Sequence, residues 1–236
     1  MPGLSADPKR VAFGRLLRLA AVLLFSGPLL AEPPEGFVEI RDVVAGIQVE
    51  LRYFTADNFI GEPVDGYEAA RCYLSREAAA ALGRVQAELE AFGLGLKVFD
   101  AYRPQRAVDH FVRWAKDLDD TRMKSKYYPE VEKKNLFRDG YIAAKSGHSR
   151  GRTVDLTLVS REAGKAVELD MGTGWDYFGP RSWPASQEVT PQQRANRMLL
   201  QGLMAKHGFR PLAEEWWHFT LVDEPHPDSY FDFVVR

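Results

Sequence analysis

Four side chains in the 236-residue sequence have the types and spacing for metal-assisted hydrolysis. His148 lies in the Gly-containing run Ser146-Gly147-His148-Ser149-Arg150-Gly151, and Asp155 follows seven positions later inside an otherwise apolar segment, Val154 to Val159. Near the C-terminus, Glu215-Trp216-Trp217-His218 offers a second imidazole with a carboxylate three residues before it. Two neutral imidazoles and one carboxylate suit zinc and leave the fourth tetrahedral position open, as in catalytic sites. His148, Asp155 and His218 are therefore the expected ligands of one zinc ion per chain. Taken singly, each could equally make a local hydrogen bond. Asp155 is the least ordinary, because an unpaired carboxylate in an apolar strand is costly unless a cation or donor faces it. Glu215 is the candidate general base and acid. Residues three apart on an extended strand point to opposite faces, so this role requires a bend near Glu215.

The elements that must hold these groups are read from apolar spacing. Phe37 to Val43 and Ile47 to Arg52 have strand length and are expected to pair about a turn at Ala45-Gly46. Ser75 can cap a helix with a buried stripe of Ala78, Leu82, Val85, Leu89 and Phe92, ended by Gly93. Leu96 to Phe99 reads as a strand leading into Asp100-Ala101-Tyr102-Arg103-Pro104, and Pro104 suits the start of a helix buried through Val108, Phe111, Val112, Ala115 and Leu118. The charged stretch from Lys116 to Arg138 fits either a solvated helix-loop region or part of a substrate lid. Thr153 to Val159 and Trp216 to Val222 are strands, and Thr190-Pro191-Gln192-Gln193 resembles a capping box for a helix closing near Gly208. Strands scattered among helices give an α+β class: one domain with a mainly antiparallel sheet flanked by helices and the zinc site at the sheet.

Composition narrows the function. With 45% hydrophobic and 27% charged residues the chain is an ordinary globular one, and a net charge of -2 lacks the basic excess that nucleic-acid binding requires. Cys72 stands alone, so neither an internal disulfide nor a Cys-rich metal site can form. Lys9, Arg10, Arg15 and Arg18 precede the apolar stretch Leu19 to Leu30, which gives way to Ala31, Glu32, Pro33 and Pro34. That order reads as a signal peptide, residues 1–31, ahead of an enzyme domain, residues 32–236, that is periplasmic or secreted once cut near Ala31. Ser26, Gly27 and Pro28 interrupt the run, which is too short for a stable membrane span.

The segments SGHSRGRTVDLTLV and EWWHF, with LRYFTADNFIG from Leu51 to Gly61 and DAYRP from Asp100 to Pro104, resemble the D-alanyl-D-alanine dipeptidase family in the same order. The resemblance runs from about Phe37 to the last strand. It implies zinc on His148, Asp155 and His218, Glu215 as catalytic acid and base, and Arg103 as the arginine that stabilises the transition state. It implies that Asp176 and Ser146 bind the free amino group of a dipeptide; Asp100 would bind substrate or orient Arg103. Gly147, where the family has a larger residue, and Arg152, where it has a small one, could reshape the pocket. Trp175, Trp183, Trp216 and Trp217 could wall that pocket or lie in the core. The implied reaction is zinc-dependent hydrolysis of D-Ala-D-Ala in cell-wall metabolism. The competing readings are a zinc D,D-carboxypeptidase or endopeptidase on muropeptides, and a non-catalytic zinc-stabilised domain that binds wall fragments.

Overall fold

The computed structural model describes Gly3 and residues 33–161, 166–223 and 228–236. The expected leader, residues 1–31, lies outside the described residues apart from Gly3. Residues from Pro33 onward form one compact unit. Its strands are β1 (Phe37–Glu39), β2 (Gln48–Val49), β3 (Tyr73–Ser75), β4 (Leu94–Asp100), β5 (Thr153–Ser160), β6 (Val167–Glu168), β7 (Phe209–Pro211) and β8 (His218–Leu221). Its α-helices are α1 (Ile40–Val43), α2 (Arg76–Glu90), α3 (Gln105–Lys116), α4 (Lys124–Tyr127) and α5 (Pro191–Lys206). None of the described helices is long and apolar enough to cross a membrane.

The main sheet has the order β2-β4-β5-β8-β7, with β6 beside the far end of β5. Only β2 and β4 run parallel; the other pairings are antiparallel, so the α+β architecture holds. β5 is buried from Thr153 to Val159, so its two faces are both covered. Val154, Leu156 and Leu158 alternate into the same hydrophobic core as Ala78, Leu82, Val85 and Leu89 of α2.

The opening strands do not pair with each other as expected. β1 gives way to the short α1 and pairs with β3, whereas β2 pairs with β4. The turn at Ala45-Gly46 is present, but it links a helix to a strand. The central helices follow their capping chemistry closely. Ser75 Oγ accepts from the Ala78 amide, and Thr190 and Gln193 form a reciprocal capping box at α5. Phe92 and Leu118, assigned to buried stripes, lie past the ends of α2 and α3 and are 75% and 53% exposed. Trp114 takes the buried place on α3.

The charged stretch from Lys116 to Arg138 is more than a solvated surface, and none of its residues lines the cavity that holds Arg103. Tyr127, Tyr128, Val131 and Leu136 are buried, and the Lys133 ammonium sits 3.9 Å from the Trp114 ring centre while donating to Asp120 O at 2.6 Å. The segment's aromatic residues outweigh its charge.

The long connection between β6 and α5 has little regular structure, and Arg197 of α5 anchors it. Its buried guanidinium donates to the carbonyls of Met171, Arg181 and Trp183 at 2.7–2.9 Å. Burial, with Arg181 adding repulsion, pulls its pKa down to about 10. Arg197→Met would leave three carbonyls without their partner, and we expect a loss of roughly 3 kcal/mol or more. Urea denaturation checks this; a shift of less than about 0.5 kcal/mol, the usual range for surface changes, would show that the anchor is dispensable.

Candidate active site

Asp100, Asp155 and His218 stand opposite one another on three adjacent strands. Asp100 of β4 pairs with Asp155 of β5, which pairs on its other side with His218 of β8. A register shift between Val98 and Asp100 makes the first of these pairings. His148 arrives from the 3-10 turn Gly147–Arg150, which Ser146 caps by accepting from the His148 amide at 3.3 Å. Gly151 ends that turn with φ +76, and a Cβ there would strike the Phe37 ring at 2.3 Å, so glycine is required on both counts.

The three expected ligand atoms converge. His148 Nε2, Asp155 Oδ1 and His218 Nδ1 form a triangle with sides of 3.2, 3.2 and 3.3 Å. Zinc ligands at about 2.0 Å in a tetrahedron lie about 3.3 Å from one another, so the donor set fits this ion. Asp155 Oδ1 is buried and makes no hydrogen bond, an orphaned acceptor that a cation would satisfy. Burial pushes the Asp155 carboxyl up, but the His148 and His218 imidazoles outweigh this and hold it well below the carboxylate range. For His218, burial works downward, whereas Asp155 and Glu215 outweigh it and lift its pKa to about 10, the mark of a site that favours positive charge. His148 Nδ1 donates to Ala101 O at 2.7 Å, which fixes the tautomer that turns the Nε2 lone pair toward the triangle.

Around the ligands is a second set of contacts. Asp155 Oδ2 accepts from Trp175 Nε1 at 3.3 Å and lies 3.6 Å from Arg103 Nη2. Arg103 Nε donates to Asp100 Oδ2 at 2.9 Å, so one guanidinium joins two carboxylates that face each other across the ladder. Asp100 is wholly buried; Tyr67 donates to its other oxygen at 2.7 Å, and it does not line the cavity. Of the two roles expected for it, orienting Arg103 fits this placement and direct substrate contact does not. Arg103 itself lines the cavity, its guanidinium about 5 Å from the ring centres of Tyr53 and Phe111.

Glu215 sits with Oε2 3.3 Å from His218 Nδ1. The required bend is present: the chain turns at Trp216-Trp217, the His218 amide donates to Glu215 O at 3.4 Å, and β8 begins only at His218. Residues three apart thereby reach the same side. Ser146 and Asp176 also line the cavity. Asp176 has φ +59 and accepts from the Tyr53 hydroxyl at 2.7 Å. Burial, together with repulsion from Asp155, raises its pKa well above the usual range, a setting that favours arrival of a positive charge.

The cavity encloses about 170 Å³. None of the four tryptophans considered lines it: Trp175, Trp216 and Trp217 are buried behind the site, and Trp183 is 41% exposed elsewhere. Its aromatic walls are Tyr53, Phe59, Phe111, Tyr141 and Phe178, none of which the sequence assigns to the pocket. Spacing cannot reveal them, since they come from four separate segments. Arg152 does not reach the cavity; it donates to Glu77 Oε2 and to Asp223 O on the α2 side of the sheet. Gly147 does line it, and a Cβ there would come within 2.8 Å of Thr153 Oγ1.

An α+β fold that presents two imidazoles, a carboxylate and an adjacent glutamate to a small cavity is that of a zinc metallopeptidase. The family described as D-ala-D-ala dipeptidase matches residues 34–236. The D-alanyl-D-alanine dipeptidases of Streptomyces coelicolor and Enterococcus faecalis are 47% and 42% identical to this chain, covering 84% and 85% of it and 98% of each relative. That of Escherichia coli is 35% identical, covering 82% of this chain and 86% of the relative. The chain belongs to the D-ala-D-ala dipeptidase family.

Proposed function

We propose that the protein hydrolyses D-Ala-D-Ala to two molecules of D-alanine. The observation that carries this reading is the placement of Glu215 beside the ligand triangle, in a cavity of about 170 Å³ that also admits Arg103 and Asp176. That volume is below the roughly 300–1,000 Å³ of pockets for drug-sized ligands and suits a two-residue substrate.

His148, Asp155 and His218 would hold the zinc. When bound, the ion makes a nucleophile available at neutral pH by lowering the pKa of water from about 15.7 toward about 7. Glu215 accepts the proton released as water attacks the scissile carbonyl, then delivers it to the departing amine. Such acid-base work contributes ~10²–10⁴-fold. Arg103, fixed by Asp100, presents its guanidinium to the oxyanion as charge develops there. Asp176, held by Tyr53, takes the substrate ammonium, and Ser146 offers its oxygen nearby. The small volume of the cavity and the presence of Asp176 in it to take a free ammonium favour a dipeptide over the longer muropeptides of a D,D-carboxypeptidase or endopeptidase. Glu215 and Arg103 in one cavity weigh against a non-catalytic wall-binding domain.

Glu215→Ala should keep its zinc, measured by atomic emission, while kcat/KM on D-Ala-D-Ala falls ~10²–10⁴-fold. Undiminished release of D-alanine by that variant would remove Glu215 from the mechanism.

We also propose that residues 1–31 direct export, on the strength of the basic residues Lys9 to Arg18 ahead of the apolar run Leu19 to Leu30. Fractionation of the native host should find the protein outside the cytoplasm, beginning near Glu32. An intact chain confined to the cytosol would overturn this.

A further inference from the structure

We infer that Lys145 receives the C-terminal carboxylate of the substrate, so that the site reads both ends of a free dipeptide. The inference rests on the D-Ala-D-Ala reading above and adds the residue that recognises the acid end.

A dipeptide at neutral pH carries an ammonium and a carboxylate. Among the groups lining the cavity, Asp155, Asp176 and Glu215 are acidic, while the arginine and lysine side chains there are those of Arg103 and Lys145. Arg103 is committed: Asp100 holds its Nε, Asp155 lies 3.6 Å away, and the rings of Tyr53 and Phe111 flank it. Lys145 is exposed, and its ammonium has no carboxylate partner among the described residues. It rests instead against the Tyr230 ring, 4.5 Å from the centre. A cation–π contact at an exposed site is weaker than a charge-assisted hydrogen bond to a carboxylate, so the ammonium can leave the ring for an arriving anion.

The perch is anchored to the metal-binding loop. Arg150 Nη1 donates to the Tyr230 hydroxyl at 3.4 Å, and the neighbouring Phe231 amide donates to Ser149 O at 2.9 Å. Lys145 directly precedes Ser146, which caps the turn that carries His148. The carboxylate reader is thereby built into the same loop as a zinc ligand, and Asp176 serves the opposite end of the substrate from a different segment.

The test compares zinc-loaded wild type, Lys145→Met and Lys145→Arg on D-Ala-D-Ala and on D-alanyl-D-alaninamide, which lacks the acid. Wild type should prefer the free acid. Lys145→Met should lose that preference by about tenfold or more, through KM, with kcat on D-Ala-D-Ala within about threefold of wild type, and Lys145→Arg should retain it. A wild type that cleaves D-Ala-D-Ala and a Lys145→Met variant with the same acid-to-amide preference would overturn the assignment of Lys145 alone. A wild type inert toward both compounds would overturn the D-Ala-D-Ala reading, and the Lys145 assignment with it.

Discussion

Asp155 places a carboxylate in the middle strand of the sheet, buried on both faces, with one oxygen left without any hydrogen bond. A charge in that position is unfavourable unless cations and donors surround it, and much of the site can be traced to meeting this requirement. Trp175 and Arg103 attend to Oδ2. His148 and His218 bring their nitrogens within 3.2 Å of Oδ1, leaving a triangle of donors whose dimensions match a tetrahedral ion. The sheet itself does the aligning, because the register sets Asp100, Asp155 and His218 side by side on β4, β5 and β8.

From there the positioning passes outward through rigid contacts. Ala101 O fixes the His148 ring, and the Arg103 amide donates back to His148 O, so the DAYRP segment and the histidine loop hold each other. Tyr67 steadies Asp100, Asp100 steadies Arg103, and Tyr53 both flanks Arg103 and donates to Asp176. Catalytic groups supported in this way need little reorganisation when substrate arrives, the condition under which electrostatic stabilisation is strongest. The farther supports matter for the same reason: Arg197 ties down the stretch that bears Trp175 and Asp176.

What the sequence disclosed follows the range of the signals involved. The capped helices α2 and α5 and the strand β5 rest on local chemistry, and they form where that chemistry puts them. The ligand residues are legible in part from the carboxylate set in an apolar strand and in the main from the ordered motifs shared with the family, and the need for a bend at Glu215 follows from strand geometry alone. The cavity walls were not legible. Tyr53, Phe111, Tyr141 and Phe178 are scattered along the chain, whereas the tryptophans that adjoin the motifs face the interior. Arg197 was missed because its partners are backbone carbonyls, which leave no mark on the sequence. The first strands were mispaired because nothing local distinguishes a hairpin from two strands joined to different neighbours.

A crystal structure of the zinc-loaded protein, with anomalous differences collected at the zinc edge, tests the central claim most directly. The account predicts one peak per chain about 2.0–2.2 Å from His148 Nε2, Asp155 Oδ1 and His218 Nδ1, with the fourth position facing Glu215. A peak placed at His110 or His207, or a zinc closed off by a fourth protein ligand, would contradict it.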